Sequence, residues 1–151
     1  MSQVTPPTDL TKRPPRSARA RLGGYAILPR ALDKLRATLA GTVGEYHYAC
    51  PLDQLFLTFA GIDPEALKTE AKKGLGDGEL LEWIRANAKN KPTDAAIFAW
   101  SAYQDQRSAG NVGGREYIGV LHKGANEKRD DIYTWFDVLD LDDHVSYGGK
   151  A

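Results

Sequence analysis

Cysteine is nearly absent from this chain, since Cys50 is the only one in 151 residues. A single cysteine cannot form a disulfide within the chain, which favours a reducing compartment. No apolar run approaches the roughly 18 residues of a membrane-spanning helix, and the N-terminal segment lacks the apolar core of a secretory signal. We therefore expect a cytoplasmic protein that makes no membrane contact.

A net charge is also missing, because 20 basic and 20 acidic side chains balance. The charges are nevertheless segregated: residues 1–36 hold eight basic and two acidic side chains, whereas residues 127–151 hold three basic and seven acidic ones. Segregation of this kind indicates either a basic arm that binds phosphate or two chain ends that pair, within one chain or across a homodimer. The balanced total favours pairing. Beyond residue 36 the chain is net acidic, which argues against nucleic-acid binding.

Helix start and stop signals recur along the chain. Pro29 suits the first turn of a helix, leucines follow at spacings of three and four, and Gly41 ends it. Similar signals predict five more helices, which begin near Leu52, Asp63, Asp77, Pro92 and Ile132. Residues 108–114 are predicted to form a loop, and residues 115–124 fit neither a helical nor a strand period. We predict an all-α fold, a compact single-domain bundle of about six helices.

Residues 1–16 differ from the rest, because they hold four of the eight prolines and almost no apolar side chains. We expect them to form an extended Pro- and Arg-rich arm that folds back on a single helical domain of residues 17–151.

Finer predictions concern single side chains of the bundle. Asp77 is expected to be the N-cap of its helix. From the next helix we expect four side chains to face inward: Ala96, Ile97, Trp100 and Tyr103. All three tryptophans are predicted to lie in the core or at its rim.

Four stretches contain the most specific motifs, LGGY, LPR, GEYHY and CPLDQ among them. The stretches are LTKRPPRSARARLGGYAILPRALDKLRA (10–37), GEYHYACPLDQLFLTFAGID (44–63), GDGELLEWI (76–84) and RDDIYTWFDVLDLDD (129–143). Together they resemble a family of bacterial proteins that is catalogued as a domain of unknown function. The resemblance implies a compact helical protein, and it implies no reaction, cofactor or partner.

The stretch GEYHYACPLD, residues 44–53, concentrates reactive side chains. His47 and Cys50 are of the types that bind zinc, and Glu45 or Asp53 would add a carboxylate. Only one thiol and one imidazole occur here, however, and the other two histidines stand in no ligand-like pattern. We therefore predict no metal site and no cofactor.

Three other interpretations of this stretch stay open. Cys50 precedes Pro51 at a predicted helix start, where the helix end and a His47 imidazolium would favour a nucleophilic thiolate. Alternatively the stretch is structural: tyrosines anchor the loop, His47 bonds to a backbone carbonyl and Asp53 caps the helix. The third interpretation is a pocket in which His47, the tyrosines and Glu45 contact a ligand.

The segment RSARARLGGYAILPR, residues 16–30, is a second candidate site. Three arginines, Arg16, Arg19 and Arg21, precede two glycines (23 and 24) and a helix start, an arrangement that suits an anion. The pattern GxxxxGK[ST] is absent, so we do not predict a nucleotide triphosphatase. Ion pairs that anchor the arm would explain the same arginines.

The acidic stretch DVLDLDD, residues 137–143, is the third candidate. Asp137 and Asp140 share a helix face, but the spacing of an EF-hand is missing. Acidic side chains at a helix C-terminus oppose the helix dipole. We therefore expect them to dock with a basic partner from the arm: Arg13, Arg16 or Arg19.

These observations lead to one functional hypothesis and two alternatives. We predict a binding or interaction module for a small anionic or phosphorylated ligand, in a pocket where the arginine segment meets the GEYHYACP loop. Its predicted ligand-binding residues are Arg19, Arg21, Tyr25, Glu45, His47 and Tyr48. One alternative is an enzyme with Cys50 and His47 as candidate catalytic residues. The other is a structural or self-associating protein whose charged ends pair, in one version as a homodimer.

Overall fold

Residues 9–151 are described by the structure, a computed structural model. Across these residues a two-stranded hairpin, β1 (Arg21–Leu22) and β2 (Tyr25–Ala26), precedes seven helices. The helices are α1 (Leu28–Ala40), α2 (Pro51–Ala60), α3 (Pro64–Ala71), α4 (Asp77–Asn87), α5 (Asp94–Gln106), α6 (Val112–Asn126) and α7 (Trp135–Ser146). The predicted compact helical fold is confirmed, with one helix more than expected.

The hairpin was not expected, because the residues after Gly24 were predicted to enter a helix directly. Gly23 and Gly24 both have positive φ, 58° and 84°, as a two-residue type I′ turn requires. Ser101 of α5 holds the hairpin: its hydroxyl accepts from the Ala26 N–H at 2.9 Å and donates to the Gly24 carbonyl at 2.6 Å. The hairpin therefore depends on a contact with α5, which lies far along the chain.

Most helix ends lie where local signals predicted them. Gly41 and Gly61 follow α1 and α2 with φ of 74° and 73°, the left-handed conformation that glycine adopts at low cost. Asp63 and Thr93 are N-caps of α3 and α5, and each side chain accepts a backbone N–H three residues on. These ends are predictable because the capping interactions are local.

Two side-chain predictions are wrong. Gly76, not Asp77, is the N-cap of α4; the Asp77 carboxylate instead pairs with two arginines from other elements. Ala96 and Tyr103 are exposed, Tyr103 by 64%. The reason is that α5 buries a different stripe: Ile97, Ser101 and Gln104.

The loop predicted for residues 108–114 is too long, because helix α6 already begins at Val112 and not after residue 114. Asn111 caps it by accepting the Gly114 N–H at 2.7 Å. None of its 15 residues is buried, and its four glycines lower its helix propensity, which weakens the helical signal in the sequence. Within residues 9–151 even this longest helix is too short and polar to cross a bilayer, and no other helix qualifies.

The hydrophobic core surrounds α1. Its fully buried side chains come from several elements: Leu28, Leu32, Leu35, Phe56, Leu67, Ile84 and Phe136. The ring of Phe59 stacks on that of Trp100 with centroids 4.8 Å apart. All three tryptophans are half-buried and lie against this core, which confirms their predicted position at its rim.

The described part of the predicted arm lies against the helical body. Leu10 is 1% exposed, and its N–H donates to the Thr42 carbonyl at 2.9 Å. Arg16 pairs with Asp33 at 2.9 Å and with Asp77 at 2.7 Å. Residues 1–8 of the arm lie outside the described residues, and the domain boundary after residue 16 stays a prediction.

Candidate functional site

A half-open cavity of about 970 Å³ is lined by the N-terminal segment, α1, the loop before α2, α2 itself, α6 and α7. Its apolar wall includes Leu10, Leu52, Leu55, Tyr117, Trp135, Leu139 and Tyr147. Its polar groups belong to Arg30, Lys34, Glu45, Tyr46, His47, Cys50, Arg107 and Asp142. A volume at the upper end of the range for ligand pockets, about 300–1,000 Å³, and this mixed lining suit a small organic molecule.

Two polar residues of the wall, Lys34 and Cys50, form a cluster with Asp53, which lies behind the wall. The Lys34 Nζ lies 2.8 Å from Asp53 Oδ1 and 3.2 Å from Cys50 Sγ. The side chains of Lys34 and Asp53 are only 3% and 0% exposed. Cys50 is the N-cap of α2, and Asp53 reaches back to accept the Ala49 N–H at 2.9 Å. Asp53 therefore supports the turn before the helix, whereas the structural interpretation of this stretch made it the cap itself.

A second buried ion pair joins α1 to α7. Arg30 Nη1 lies 2.7 Å from Asp143 Oδ2, with side chains 4% and 9% exposed. The Tyr46 hydroxyl donates to Asp143 Oδ1 at 2.7 Å. Burial, together with this carboxylate, raises the pKa of Tyr46, so its hydroxyl stays protonated and keeps donating. The charges of Arg30 and Asp143 thus neutralise each other at one end of the cavity, and Tyr46 hydrogen-bonds to the same carboxylate.

Arg107 is the cation of the wall that forms no ion pair with a described residue. Its Nε donates to Gln104 Oε1 at 3.1 Å, and its Cζ lies 5.6 Å from the centroid of the Trp135 ring. Burial lowers the pKa of this guanidinium, and only Tyr103 acts against the shift. Its surroundings thus disfavour its positive charge, and an anion beside it would offset that cost.

Asp142 adds a carboxyl group to the same cavity. Burial raises its pKa, and neighbouring Asp143 adds to the effect, while Arg30 opposes it. The carboxyl therefore holds its proton more tightly than an exposed one.

The predicted site residues are divided by the structure. Glu45, His47 and Cys50 line the cavity, with Glu45 and His47 exposed at its rim. Tyr48 does not line it: its hydroxyl donates to the Pro64 carbonyl at 2.9 Å, and burial raises its pKa. Tyr25 is 3% exposed and packs edge-on against another core ring.

The arginine segment also lies apart from the cavity lining. Arg19 pairs with Asp137 and Asp140 of α7, and Arg21 pairs with Asp105 of α5 at 2.6 Å. Carboxylates thus occupy both guanidinium groups, so the pocket predicted to be shared with the GEYHYACP loop does not include them. The pairing of Arg19 confirms that the acidic helix docks with the basic segment within one chain; the homodimer stays a prediction.

Several polar residues of the cavity were missed from the sequence. Arg30 and Lys34 stand four residues apart on α1, one turn of the helix; with Asp33 they are the charged residues among its buried ones, and the other buried residues are apolar. Charged residues within a buried helix are unusual, and this pattern was a usable signal. Arg107 follows α5 with no motif around it, and its unpaired state depends on tertiary structure.

Chemically, the cavity offers an arginine, a thiol beside an ammonium group and a large apolar surface. Within residues 9–151 no group of three His, Cys, Asp or Glu side chains is arranged to hold a metal ion. The donors present instead suit recognition of an anionic group by hydrogen bonds and charge.

Residues 12–145 match the model of a domain of unknown function, DUF5069. The match covers most of the chain, which belongs to this family, so the predicted membership of a family of unknown function is confirmed, whereas its bacterial origin stays a prediction. No curated protein matches the chain.

Proposed function

We propose that the cavity binds a small molecule that carries one anionic group, a carboxylate or a phosphate, on an apolar body. The observation that carries the proposal is Arg107, a cavity-lining guanidinium without a carboxylate partner among the described residues. Arginine is well suited to this role because its planar fork can donate two parallel hydrogen bonds to a carboxylate or phosphate.

The position of Arg107 supports the assignment. Its Nε is held by Gln104 and its guanidinium lies over the Trp135 ring, which fixes its orientation before any ligand arrives. The two other cations of the wall, Arg30 and Lys34, already have buried carboxylate partners. Arg107 is therefore the cation with the most to gain from an incoming anion.

The remaining wall suits the apolar body of such a ligand. Leucines from the N-terminal segment, α2 and α7 face the cavity together with the rings of Tyr117 and Trp135. Burying an apolar group here stabilises the complex by about 25 cal/mol for each Å² removed from water. The anionic group gives orientation, and the apolar contact supplies most of the affinity.

We also propose that this binding takes place in the cytoplasm. Cys50 is free and only partly buried on the cavity wall. A thiol in that position stays reduced in a reducing compartment and is open to oxidation outside one.

The test compares an anionic ligand with its neutral counterpart. We expect 2-naphthoate to bind the full-length protein in isothermal titration calorimetry with a Kd below about 1 mM, and 2-naphthamide to bind more weakly. Arg107→Gln should weaken naphthoate binding about tenfold, or ~1.4 kcal/mol, and leave naphthamide binding unchanged.

A matched control is Arg85→Gln. Arg85 is an exposed arginine of α4 that pairs with Glu82 at 3.0 Å and does not line the cavity, so its loss should change neither titration. No naphthoate binding at millimolar concentration, or equal effects of the two substitutions, would contradict the proposal.

A further inference from the structure

We infer that Cys50 is a reactive thiol of the cavity, that Lys34 activates it, and that its substrate class is a small anionic electrophile. The reactivity of the thiol stands on its own geometry, whereas the preference for an anion rests on the proposed function of Arg107. The sequence suggested His47 as the partner of Cys50. Lys34 is the basic side chain that the structure brings to the sulfur.

The contact between the two side chains is direct. Lys34 Nζ lies 3.2 Å from Cys50 Sγ, within the distance of a hydrogen bond to sulfur. An ammonium group beside a cysteine favours the thiolate, which is the nucleophilic form. Cys50 is also the N-cap of α2 and its side chain makes no capping hydrogen bond, so the sulfur lies at the positive end of a ten-residue helix.

The polar groups around the sulfur are not all satisfied within the described residues. An ammonium group has three N–H donors, and Lys34 contacts Asp53 and Cys50 while also lining the cavity. Asp53 Oδ1 is fully buried and accepts no well-aligned hydrogen bond, although Lys34 Nζ is 2.8 Å away. Buried polar groups with unused capacity are rare in native proteins. Of the two partners, Lys34 lines the cavity, whereas Asp53 lies behind the wall and does not.

The ion pair is also hard to explain as a device for stability. Burying a lysine and an aspartate costs desolvation that their attraction recovers only in part, and apolar residues of similar size often serve stability as well or better. A role for Lys34 at the sulfur accounts for its burial, since the cavity wall holds the ammonium group in contact with the thiol.

The reaction is a substitution at carbon. The thiol proton passes to solvent, the sulfur electron pair forms an S–C bond, and the leaving group departs with the electrons of the bond that breaks. With iodoacetate as the probe the products are S-carboxymethyl cysteine and iodide. The carboxylate of this probe is the group that Arg107 would bind.

The first experiment measures the alkylation rate of Cys50 by iodoacetamide at neutral pH, by intact mass, because the chain has no other cysteine. We expect the folded protein to react about five- to tenfold faster than the same protein in concentrated urea. A folded thiol that reacts no faster than the unfolded one overturns the inference, whatever the naphthoate titrations show.

Lys34→Met alone leaves Asp53 buried without a partner and threatens folding. The double substitution Lys34→Met with Asp53→Leu removes both charges together. We expect the folded double variant, checked by circular dichroism, to lose the rate advantage over the urea state. Retention of the full advantage would show that Lys34 does not activate the thiol.

The second experiment compares iodoacetate with iodoacetamide. The measured quantity is the rate with iodoacetate over the rate with iodoacetamide, divided by the same ratio in urea. We expect this quantity to be several-fold above one in the folded protein. It should fall towards one in Arg107→Gln and stay raised in Arg85→Gln. A ratio near one in the folded protein would overturn the preference for an anionic electrophile, even if the thiol reacts fast with iodoacetamide. Loss of naphthoate binding with a fast thiol would instead contradict the proposed function alone.

Discussion

Two regions of this molecule use the same ion-pair chemistry in opposite settings. On the cavity wall Arg30 and Lys34 pair with Asp143 and Asp53, and all four side chains are at most 9% exposed. In the arginine segment, residues 16–21, the three arginine side chains are 30–42% exposed in their ion pairs. The pairs are alike in length, so burial is what separates them.

The difference indicates what each region does. Partly exposed pairs lose little solvation and gain little, so Arg19 and Arg21 fasten the segment to α7 and α5 without a large effect on stability. Arg16 is the exception, because its partner Asp33 is only 8% exposed. Buried pairs lose solvation on both sides, and removing one partner leaves an uncompensated charge. The cavity wall is therefore the region where single charge substitutions should matter most.

The largest expected effect comes from breaking the Lys34–Asp53 pair. Asp53→Leu leaves the Lys34 ammonium buried without its carboxylate, and we expect the free energy of unfolding to fall by ~3–5 kcal/mol. Urea denaturation followed by circular dichroism measures this loss. The double substitution with Lys34→Met should recover most of it. Equal losses in the single and double variants would mean that shape, and not charge, limits this part of the structure.

The two regions should also differ in how their contribution to stability depends on pH, an effect of intermediate size. Burial acts to raise the pKa of Asp77, but hydrogen bonds from Arg16 and Arg36 outweigh it and lower the pKa below 3.8. Its contribution is present above about pH 4 and is lost as the pH falls through that lowered pKa. The pKa shift of Asp142 has the opposite sign, because burial and Asp143 raise its pKa above 3.8. Its charge therefore opposes folding at neutral pH, and acidification relieves this penalty.

Urea denaturation from neutral pH down to about pH 3 tests both signs. Asp77→Asn should destabilise the protein at neutral pH, with a difference from wild type that shrinks below pH 4. Asp142→Asn should stabilise it at neutral pH, with a difference that already shrinks above pH 4. Both effects should be smaller than that of Asp53→Leu. The same sign for the two variants at neutral pH would contradict the comparison.

The smallest effect belongs to the arginine segment. Arg21→Gln removes an ion pair of 2.6 Å with Asp105 whose side chains are 30% and 29% exposed. We expect a loss of less than about 1 kcal/mol that becomes smaller as salt is added. Stability measured in low and high salt checks this. A loss of several kcal/mol that salt leaves unchanged would show that this pair is energetically equivalent to the buried ones.

The sequence predicted the helical ends far better than the cavity. Gly41, Gly61, Asp63 and Thr93 act through φ angles and hydrogen bonds that reach no further than a few residues. Helix α6 escaped prediction because it buries no side chain fully and its four glycines make a helix appear unfavourable from the sequence. The hairpin escaped because its support, Ser101, lies 75 residues beyond Ala26.

The candidate site was predicted only in part, for a related reason. The GEYHYACP loop contributes Glu45, His47 and Cys50 to the cavity, and its concentration of reactive side chains was visible in the sequence. The sequence did not show which arginine is left to bind an anion. What distinguishes Arg19, Arg21 and Arg107 in this respect is which carboxylates lie near them in space. Such neighbours come from residues as much as 121 positions away.

By itself, then, the sequence determined a helical chain with defined helix ends, a basic beginning and an acidic end that attract each other, and a single thiol at a helix start. Only the tertiary structure decided which charges are neutralised and which face the cavity. The physical reason is one of range. Capping and chain stiffness act over a few residues, whereas burial and ion pairing depend on distances in space, which brought Lys34 to Cys50 and left Arg107 without a carboxylate among the described residues.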